Sequence, residues 1–272
     1  MLQPEESAAF QKTILDYYRM YGRQFPWRET ADAYEILVSE MMLQQTQTER
    51  VMPKYTAWLE RFPTAQSLAD ASLSDVLAQW SGLGYNRRAR FLQEACRIVC
   101  SRYGGVFPSD AESLDALPGV GPYTARAVAA FAFGLPEVFI ETNIRSVFIF
   151  FFFKDRDAVS DKEILPLIEQ TLLRENPRIW YYALMDYGAE LKKKVHNPNR
   201  KSRHYTKQPS FAGSLRQARG AVLRSLVHSG SASLAAIAEA EHIEYERIAA
   251  AAEALLAERL IADNGGIYTI RE

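Results

Sequence analysis

"SLDALPGVGPYTARAVAAFAFG", residues 113–134, sets Pro118, Gly119, Gly121 and Pro122 within five positions between two helix-forming runs. Leu114 and Leu117 on one side, and Ala125, Val128, Ala129 and Ala132 on the other, give each flank an apolar face. The spacing predicts two helices packed on each other across a tight turn. That turn has almost no side chains to offer, so what it presents is backbone. The N–H groups at a helix start lack intrahelical partners and form an anion site. Glycine lets a phosphate approach them closely.

Working outward, helical periodicity dominates to about residue 190, without strand-like alternation. Helices are expected near 5–21, 32–47, 49–60, 72–81, 86–103, 110–116, 122–133, 143–153, 161–173 and 177–190. Ser72 with Asp75, Ser109 with Glu112 and Ser160 with Glu163 resemble capping boxes at three of the starts. From 192 the stretch "KKKVHNPNRKSRHYTKQPSFAGS" is polar and basic, which reads as a linker. Beyond it, helices are expected near 214–228, 233–240 and 244–259. Asn264-Gly265-Gly266, flanked by Leu260/Ile261 and Ile267/Tyr268/Ile270, signals a β-hairpin. Three helices and a hairpin outline a winged helix.

Composition narrows the class without naming a partner. The 272 residues are 48% hydrophobic and 24% charged, which suits a folded globular chain and excludes a disordered one. "VFIFFFF" at 147–153 is far too short to span a bilayer and reads as core, as do Trp27, Trp58, Trp80 and Trp180. The start "MLQPEESAAF" has no basic region before an apolar one, so no signal peptide is expected. Two cysteines, Cys96 and Cys100, cannot build a disulfide framework or a four-thiolate cluster, and read as reduced thiols of a cytoplasmic protein. A net charge of −1 announces no nucleic acid, so any evidence for it must be local.

Two carboxylates stand out. Glu40 sits among Ile36, Leu37, Val38, Met41, Met42 and Leu43, and desolvation in such a setting favours a protonated carboxyl suited to general acid work. The alternative is a buried glutamate paired with an arginine such as Arg28. The polar run Gln44-Gln45-Thr46-Gln47 follows, able to hydrogen-bond base edges or to cap the helix end. Glu141, in "FIETNIRSVF", falls in a helix cap region, where the dipole favours a carboxylate anion. An acid and an anion set apart by their surroundings are what cleavage of a glycosidic bond needs.

Phe25-Pro26-Trp27-Arg28, Ser39 to Gln47, Gly82-Leu83-Gly84-Tyr85, Leu117 to Ala125 and Ala183 to Ala189 occur in that order. Together they resemble the helix-hairpin-helix DNA glycosylase superfamily, and within it the adenine glycosylase branch, over roughly residues 10–190. The resemblance implies a mostly α, two-lobed fold, to which the pattern beyond residue 192 adds a small C-terminal winged-helix-like module. Its expected division is 1–24 with 135–191 as an outer lobe, 25–134 as a six-helix lobe carrying the hairpin, 192–212 as a linker and 213–272 as the module. It implies that Glu40 protonates the departing base and helps activate water, that Glu141 stabilises the sugar cation, and that Tyr123 and Asn143 hold the geometry. Tyr123 falls where lyase-active relatives carry a Schiff-base lysine, so no strand cleavage is expected. Arg28, Gln44, Gln45, Tyr85 and Asn86 are the expected base-pocket and duplex contacts. Gly119, Val120, Gly121, Thr124, Arg87 and Arg88 are expected on the phosphate backbone. The base would be flipped into the cleft between the lobes.

The chain departs from that pattern in four places. The second carboxylate is normally an aspartate, and Glu141 is one methylene longer. Relatives carry four closely spaced cysteines after the "MDYGAE" segment, and this chain has none there, so no iron–sulfur cluster and no other cofactor is expected. Seven basic residues there (Lys192, Lys193, Lys194, Arg200, Lys201, Arg203, Lys207) are expected to meet phosphates, while His196 and His204 read as solvated and no metal is expected. Asn86 replaces an intercalating tyrosine, and a shorter winged-helix tail stands where relatives carry a lesion-reading domain. The expected partner is double-stranded DNA with a mismatch or lesion, bound by a monomer, with no membrane; adenine opposite guanine or 8-oxoguanine is the favoured target. Uracil or thymine opposite guanine, an oxidised base, and non-catalytic DNA binding are the competing readings.

Overall fold

The computed structural model describes residues 2–206 and 210–271. Along the chain run α1 (Pro4–Tyr21), a 3-10 turn (Pro26–Arg28), α2 (Ala33–Leu43), α3 (Thr48–Arg61), α4 (Ala65–Ala69) and α5 (Leu73–Trp80). They are followed by α6 (Arg87–Tyr103), α7 (Ala111–Asp115), α8 (Pro122–Phe133), α9 (Thr142–Phe152), α10 (Asp161–Thr171) and α11 (Pro177–Lys194). A second 3-10 turn (Pro198–Lys201) precedes α12 (Leu215–Ser229), β1 (Ser231–Ala232), α13 (Leu234–Glu241), α14 (Tyr245–Ala257), β2 (Ile261–Asp263) and β3 (Tyr268–Ile270).

Two units emerge. The first comprises Met1–Leu37, Ser109–Ala116 and Val120–Lys207; the second comprises Val38–Pro108, Leu117–Gly119 and Gln208–Glu272. This differs from the expected division. Residues 120–134 join the first unit because α8 packs on α7 and α11. The C-terminal segment joins the second because α12 packs on α5 and Arg90 donates to the carbonyl of Glu258.

In the first unit α1, α9, α10 and α11 enclose an aromatic core. Phe10 meets Phe148, Phe151, Phe152 and Trp180 edge-on, with centroids 5.0–5.8 Å apart. These are geometries the aromatic quadrupole favours, and they explain why the 147–153 run is apolar. Ser160 closes a capping box with Glu163 at the start of α10. In the second unit Trp58 and Trp80 are fully buried, 5.4 Å apart and T-shaped. Helix α6 packs on α4 and α5. Cys96 on α6 is buried and free, and that burial pushes its thiol up; Cys100 is also free.

The C-terminal part of the second unit has the helices and hairpin of a winged helix, with an added short strand: the sheet order is β1-β3-β2, antiparallel throughout. Gly265 and Gly266 both take positive φ, of 71° and 90°, at the hairpin turn, conformations glycine adopts without steric cost.

Several local boundaries move. Helix α2 stops at Leu43, because Gln45 turns left-handed with φ of 56°; the Gln44–Gln47 run therefore leaves the helix. Helix α4 was not foreseen, although Thr64 and Ser67 form a capping box at its start. The cap of α7 is Asp110, which accepts from the Ser113 N–H, where Ser109 was expected. Helix α11 runs on to Lys194, so the stretch read as a linker from 192 begins as helix. Among the described residues no helix is long and apolar enough to cross a membrane.

Candidate active site

The turn at 117–122 explains its own composition. Gly119 has φ of +74°, and a Cβ there would lie 2.6 Å from Phe91 Cβ and 3.0 Å from Met41 Cε. Only glycine fits both the conformation and the space. Gly121 is extended and caps α8, with Pro122 in its first turn, where the missing N–H costs nothing. The side chains of Val120 and Thr124 are buried. What those two positions can offer a phosphate is therefore backbone alone.

In the second unit Glu40 is 6% exposed, beside the buried Ser39, Met41 and Met42. Two loops of this unit, after α2 and before α6, are fixed by one side chain. Arg88, expected on phosphate, is 8% exposed and turned inward. Its Nη1 donates to the carbonyls of Met41, Met42 and Gln44 at 2.6, 3.1 and 2.7 Å. Its Nη2 donates to Thr46 Oγ1 and to the carbonyls of Leu83 and Gly84 at 3.3, 3.2 and 3.0 Å. Burial lowers the guanidinium to about 10, opposed by Tyr85, which leaves it charged at neutral pH. A donor-only cation facing a ring of carbonyls is satisfied internally, so Arg88 is a clamp and not a phosphate contact.

That clamp holds two strained loops. Gln45 and Tyr85 have φ of 56° and 48°, uncommon for residues with a side chain. Both are exposed. Trp80 Nε1 donates to the Gly84 carbonyl at 3.0 Å and supports the second loop from beneath. Gln44 is half-buried, with Nε2 3.5 Å from Met41 Sδ. Asn86 caps α6 without a side-chain bond. Arg87 is exposed, its guanidinium 5.2 Å from the Phe91 ring. Arg216, on α12, stands 5.8 Å from the Tyr85 ring and donates to its hydroxyl at 3.2 Å.

In the first unit Glu141 caps α9. Its Oε1 accepts from the N–H of Asn143 at 2.6 Å and of Ile144 at 2.8 Å. Its Oε2 accepts from Asn143 Nδ2 at 3.2 Å. Tyr123 lies in the first turn of α8, half-buried, its ring 5.7 Å from Phe139 and edge-on. Arg28, expected in the pocket, is taken up by Asp186: two hydrogen bonds of 2.8 Å join them. Its guanidinium also lies 4.4 Å from the Tyr182 ring.

The basic stretch behaves as two groups. Lys192 is half-buried on α11 and donates to Asn143 Oδ1 at 2.8 Å, where a phosphate contact was expected. Lys193, Lys194, Arg200 and Arg203 are exposed; Lys207 lies outside the described residues. The segment is tied to the unit by backbone. Val159 N–H donates to Lys201 O at 2.9 Å, and Arg203 N–H to Val159 O at 3.0 Å. His196 and His204 are both exposed. No cysteine occurs between Pro177 and Thr206, and Cys96 and Cys100 lie on α6 in the other unit. These residues do not fit a thiolate-held cluster.

Residues 38–176 match the HhH-GPD superfamily of base excision DNA repair proteins, and the chain belongs to that superfamily. It is 40% identical over 178 residues to the adenine DNA glycosylase of Mycolicibacterium smegmatis, covering 65% of this chain and 61% of that one. It is 44% identical over 151 residues to the human adenine DNA glycosylase, covering 52% of this chain and 28% of that one. The chain thus spans less than two thirds of these relatives. A thermostable thymine-DNA glycosylase superposes with a TM-score of 0.62 at 28% identity, over 68% of this chain and 87% of that structure. Endonuclease III trapped on DNA shares the fold, with a TM-score of 0.58 at 21% identity over 68% of this chain and 85% of that one.

Proposed function

We propose that this chain is a monofunctional DNA glycosylase that releases mispaired adenine from duplex DNA, opposite guanine or 8-oxoguanine. The observation that carries the reading is the contrast between two carboxylates. Glu40 is 6% exposed on α2 between Ser39 and Met41, a setting in which a carboxyl can be held to deliver a proton to a bound base. Both oxygens of Glu141 accept hydrogen bonds, which is how a carboxylate anion is held.

In the proposed reaction Glu40 gives its proton to a ring nitrogen of adenine as the C1′–N9 bond breaks. The bonding pair leaves with the base, and the sugar becomes an oxocarbenium ion. Glu141 stabilises that cation electrostatically. A water then adds to C1′ and returns a proton to Glu40, leaving free adenine and an abasic site. Tyr123, lacking an amine, forms no Schiff base, so the abasic strand stays intact. The 117–122 hairpin, with Arg87, would hold the phosphate backbone without reading sequence. No cluster and no metal takes part in the proposed reaction, which would act on DNA in the cytoplasm. The names of the adenine-specific relatives support the choice of base.

The test is single-turnover base release from duplexes holding adenine opposite 8-oxoguanine or guanine, thymine or uracil opposite guanine, and 8-oxoguanine opposite cytosine. Adenine release by the wild type, lost in Glu40→Gln with DNA binding kept, is the expected result. Release of thymine or uracil alone would transfer the reading to that substrate. Tight binding with no release from any duplex would end the catalytic reading.

A further inference from the structure

We propose that Lys192 is a positioning residue for Glu141, acting through the side-chain amide of Asn143. The argument rests on the reading of Glu141 as the catalytic anion, and it begins with hydrogen-bond chemistry. An ammonium can only donate and a carboxylate can only accept. Asn143 stands between the two, with Lys192 Nζ on its Oδ1 at 2.8 Å and Glu141 Oε2 on its Nδ2 at 3.2 Å. One orientation of the amide satisfies both neighbours; the flipped one would face donor to donor and acceptor to acceptor. Lys192 therefore dictates which edge Asn143 turns to Glu141.

The backbone is built to bring Lys192 there. Gly188 lies one helical turn earlier on α11, and a Cβ on it would sit 2.3 Å from the Asn143 carbonyl oxygen. Its bare backbone lets α11 run against the start of α9, and the residue four positions on shares that face. Arg145, a second cation whose charge is felt at Lys192, is committed to Asp161 through bonds of 2.6 and 2.7 Å. Burial works against the Lys192 ammonium, the charge of Glu141 supports it, and Arg145 opposes it. Lys193 and Lys194, next in the chain, are exposed and ion-paired to Glu190.

The device answers a problem that Glu141 raises. A glutamate has one more rotatable bond than an aspartate, so the two backbone N–H donors on Oε1 leave Oε2 free to swing. The Asn143 amide removes that freedom, and Lys192 keeps the amide from turning over.

The experiment compares wild type, Lys192→Met, Lys192→Arg and Glu141→Gln on an adenine:8-oxoguanine duplex, reading the single-turnover rate at saturating enzyme and the duplex Kd across salt. Thermal midpoints check folding, and Lys192→Arg keeps donors and charge should the methionine variant fail to fold. The expected result is a rate loss of about ten- to a hundredfold in Lys192→Met, a smaller loss in Lys192→Arg, and unchanged Kd and salt slope. In the double variant Lys192→Met/Glu141→Gln, the loss should not exceed that of Glu141→Gln alone, since a positioning residue has nothing left to position. A wild-type rate in Lys192→Met, with Glu141→Gln impaired, overturns the inference and leaves the anion reading standing. So does a weakened Kd with a shallower salt slope at full rate, which marks a phosphate contact. A full rate in Glu141→Gln overturns the anion reading itself and the inference with it.

Discussion

Arg28 and Asp186, 158 positions apart in the chain, share two hydrogen bonds of 2.8 Å inside the first unit. Their side chains are 8% and 1% exposed, and Arg23 adds its backbone N–H and Nε to the same carboxylate at 2.7 and 2.8 Å. The pair joins the turn after α1 to the middle of α11, the helix that carries Gly188 and Lys192. Removing one partner strands a buried charge. Asp186→Ala is therefore expected to cost about 3–5 kcal/mol of stability, measured by denaturant unfolding. A loss below about 1 kcal/mol, the value of an exposed pair, would show that the buried geometry is wrong.

The same carboxylate sets an acid limit. Burial pushes Asp186 up, but the hydrogen bonds and charge of Arg28, with those of Arg23, outweigh it and hold it below the ordinary 3.8. Glu163 is lowered from 4.5 to about 2 by the backbone and hydroxyl of Ser160 and by Arg156. Both groups bind protons less readily in the folded state. Their stabilisation is present above the unfolded values and is lost as pH falls through the folded ones. The unfolding midpoint should thus drop between pH 4.5 and about 2, and Glu163→Gln should flatten that slope. An unchanged slope in the variant would remove the α10 capping box from the account.

Arg88 and Arg87 are neighbours with opposite expected phenotypes. Arg88→Met leaves several carbonyls without their donor and should cost about 3 kcal/mol, or roughly 6–12 °C in Tm at about 2–4 °C per kcal/mol. Since its guanidinium is satisfied inside the fold, the salt dependence of DNA binding should keep its slope. Arg87→Ala should do the reverse, leaving Tm unchanged and reducing the salt slope by about 1. Measuring both variants by thermal melt and salt titration separates clamp from contact; the opposite pattern would reinstate Arg88 as a phosphate ligand.

That pair also shows what was legible from sequence. In "RRAR" both Arg87 and Arg88 read as phosphate contacts, yet on α6 the positions 88, 92, 96 and 99 share one face, and Leu92, Cys96 and Val99 are all buried. The period held the answer, and charge obscured it. "KKK" at 192–194 misled likewise, because only the first of the three lies one turn beyond Gly188. The N-cap at Ser72, the capping box at Ser160 and the Asn-Gly-Gly hairpin are local chemistry and were readable; the reciprocal bond expected from Asp75 to Ser72 is not formed. Helix α4 is five residues long, too short for periodicity to register. The Arg28–Asp186 pair lies beyond any local pattern. Its one trace in the sequence is the joint presence of "FPWR" and "MDYGA".

Gly188 offers the last test, because its substitution acts on the fold and on Glu141 together. A Cβ there would lie 2.3 Å from the Asn143 carbonyl oxygen and 2.7 Å from its carbon. Both are backbone atoms, which cannot swing aside as a side-chain tip can. Relief has to come from moving α11 away from the start of α9, at an overpacking cost of about 1–3 kcal/mol. The displacement carries Lys192 off Asn143 and loosens the amide on Glu141 Oε2. Gly188→Ala should therefore lower the thermal midpoint and, at a temperature where it remains folded, lower the single-turnover rate with duplex affinity kept. Gly104→Ala is the matched control: it closes α6 in the other unit at φ of +61°, with nothing within 4 Å of the added carbon. It should lose stability by a comparable amount through backbone strain alone, and keep its rate. Equal rates in the two variants would mean that the contact between α11 and α9 supports the fold without setting the geometry of Glu141.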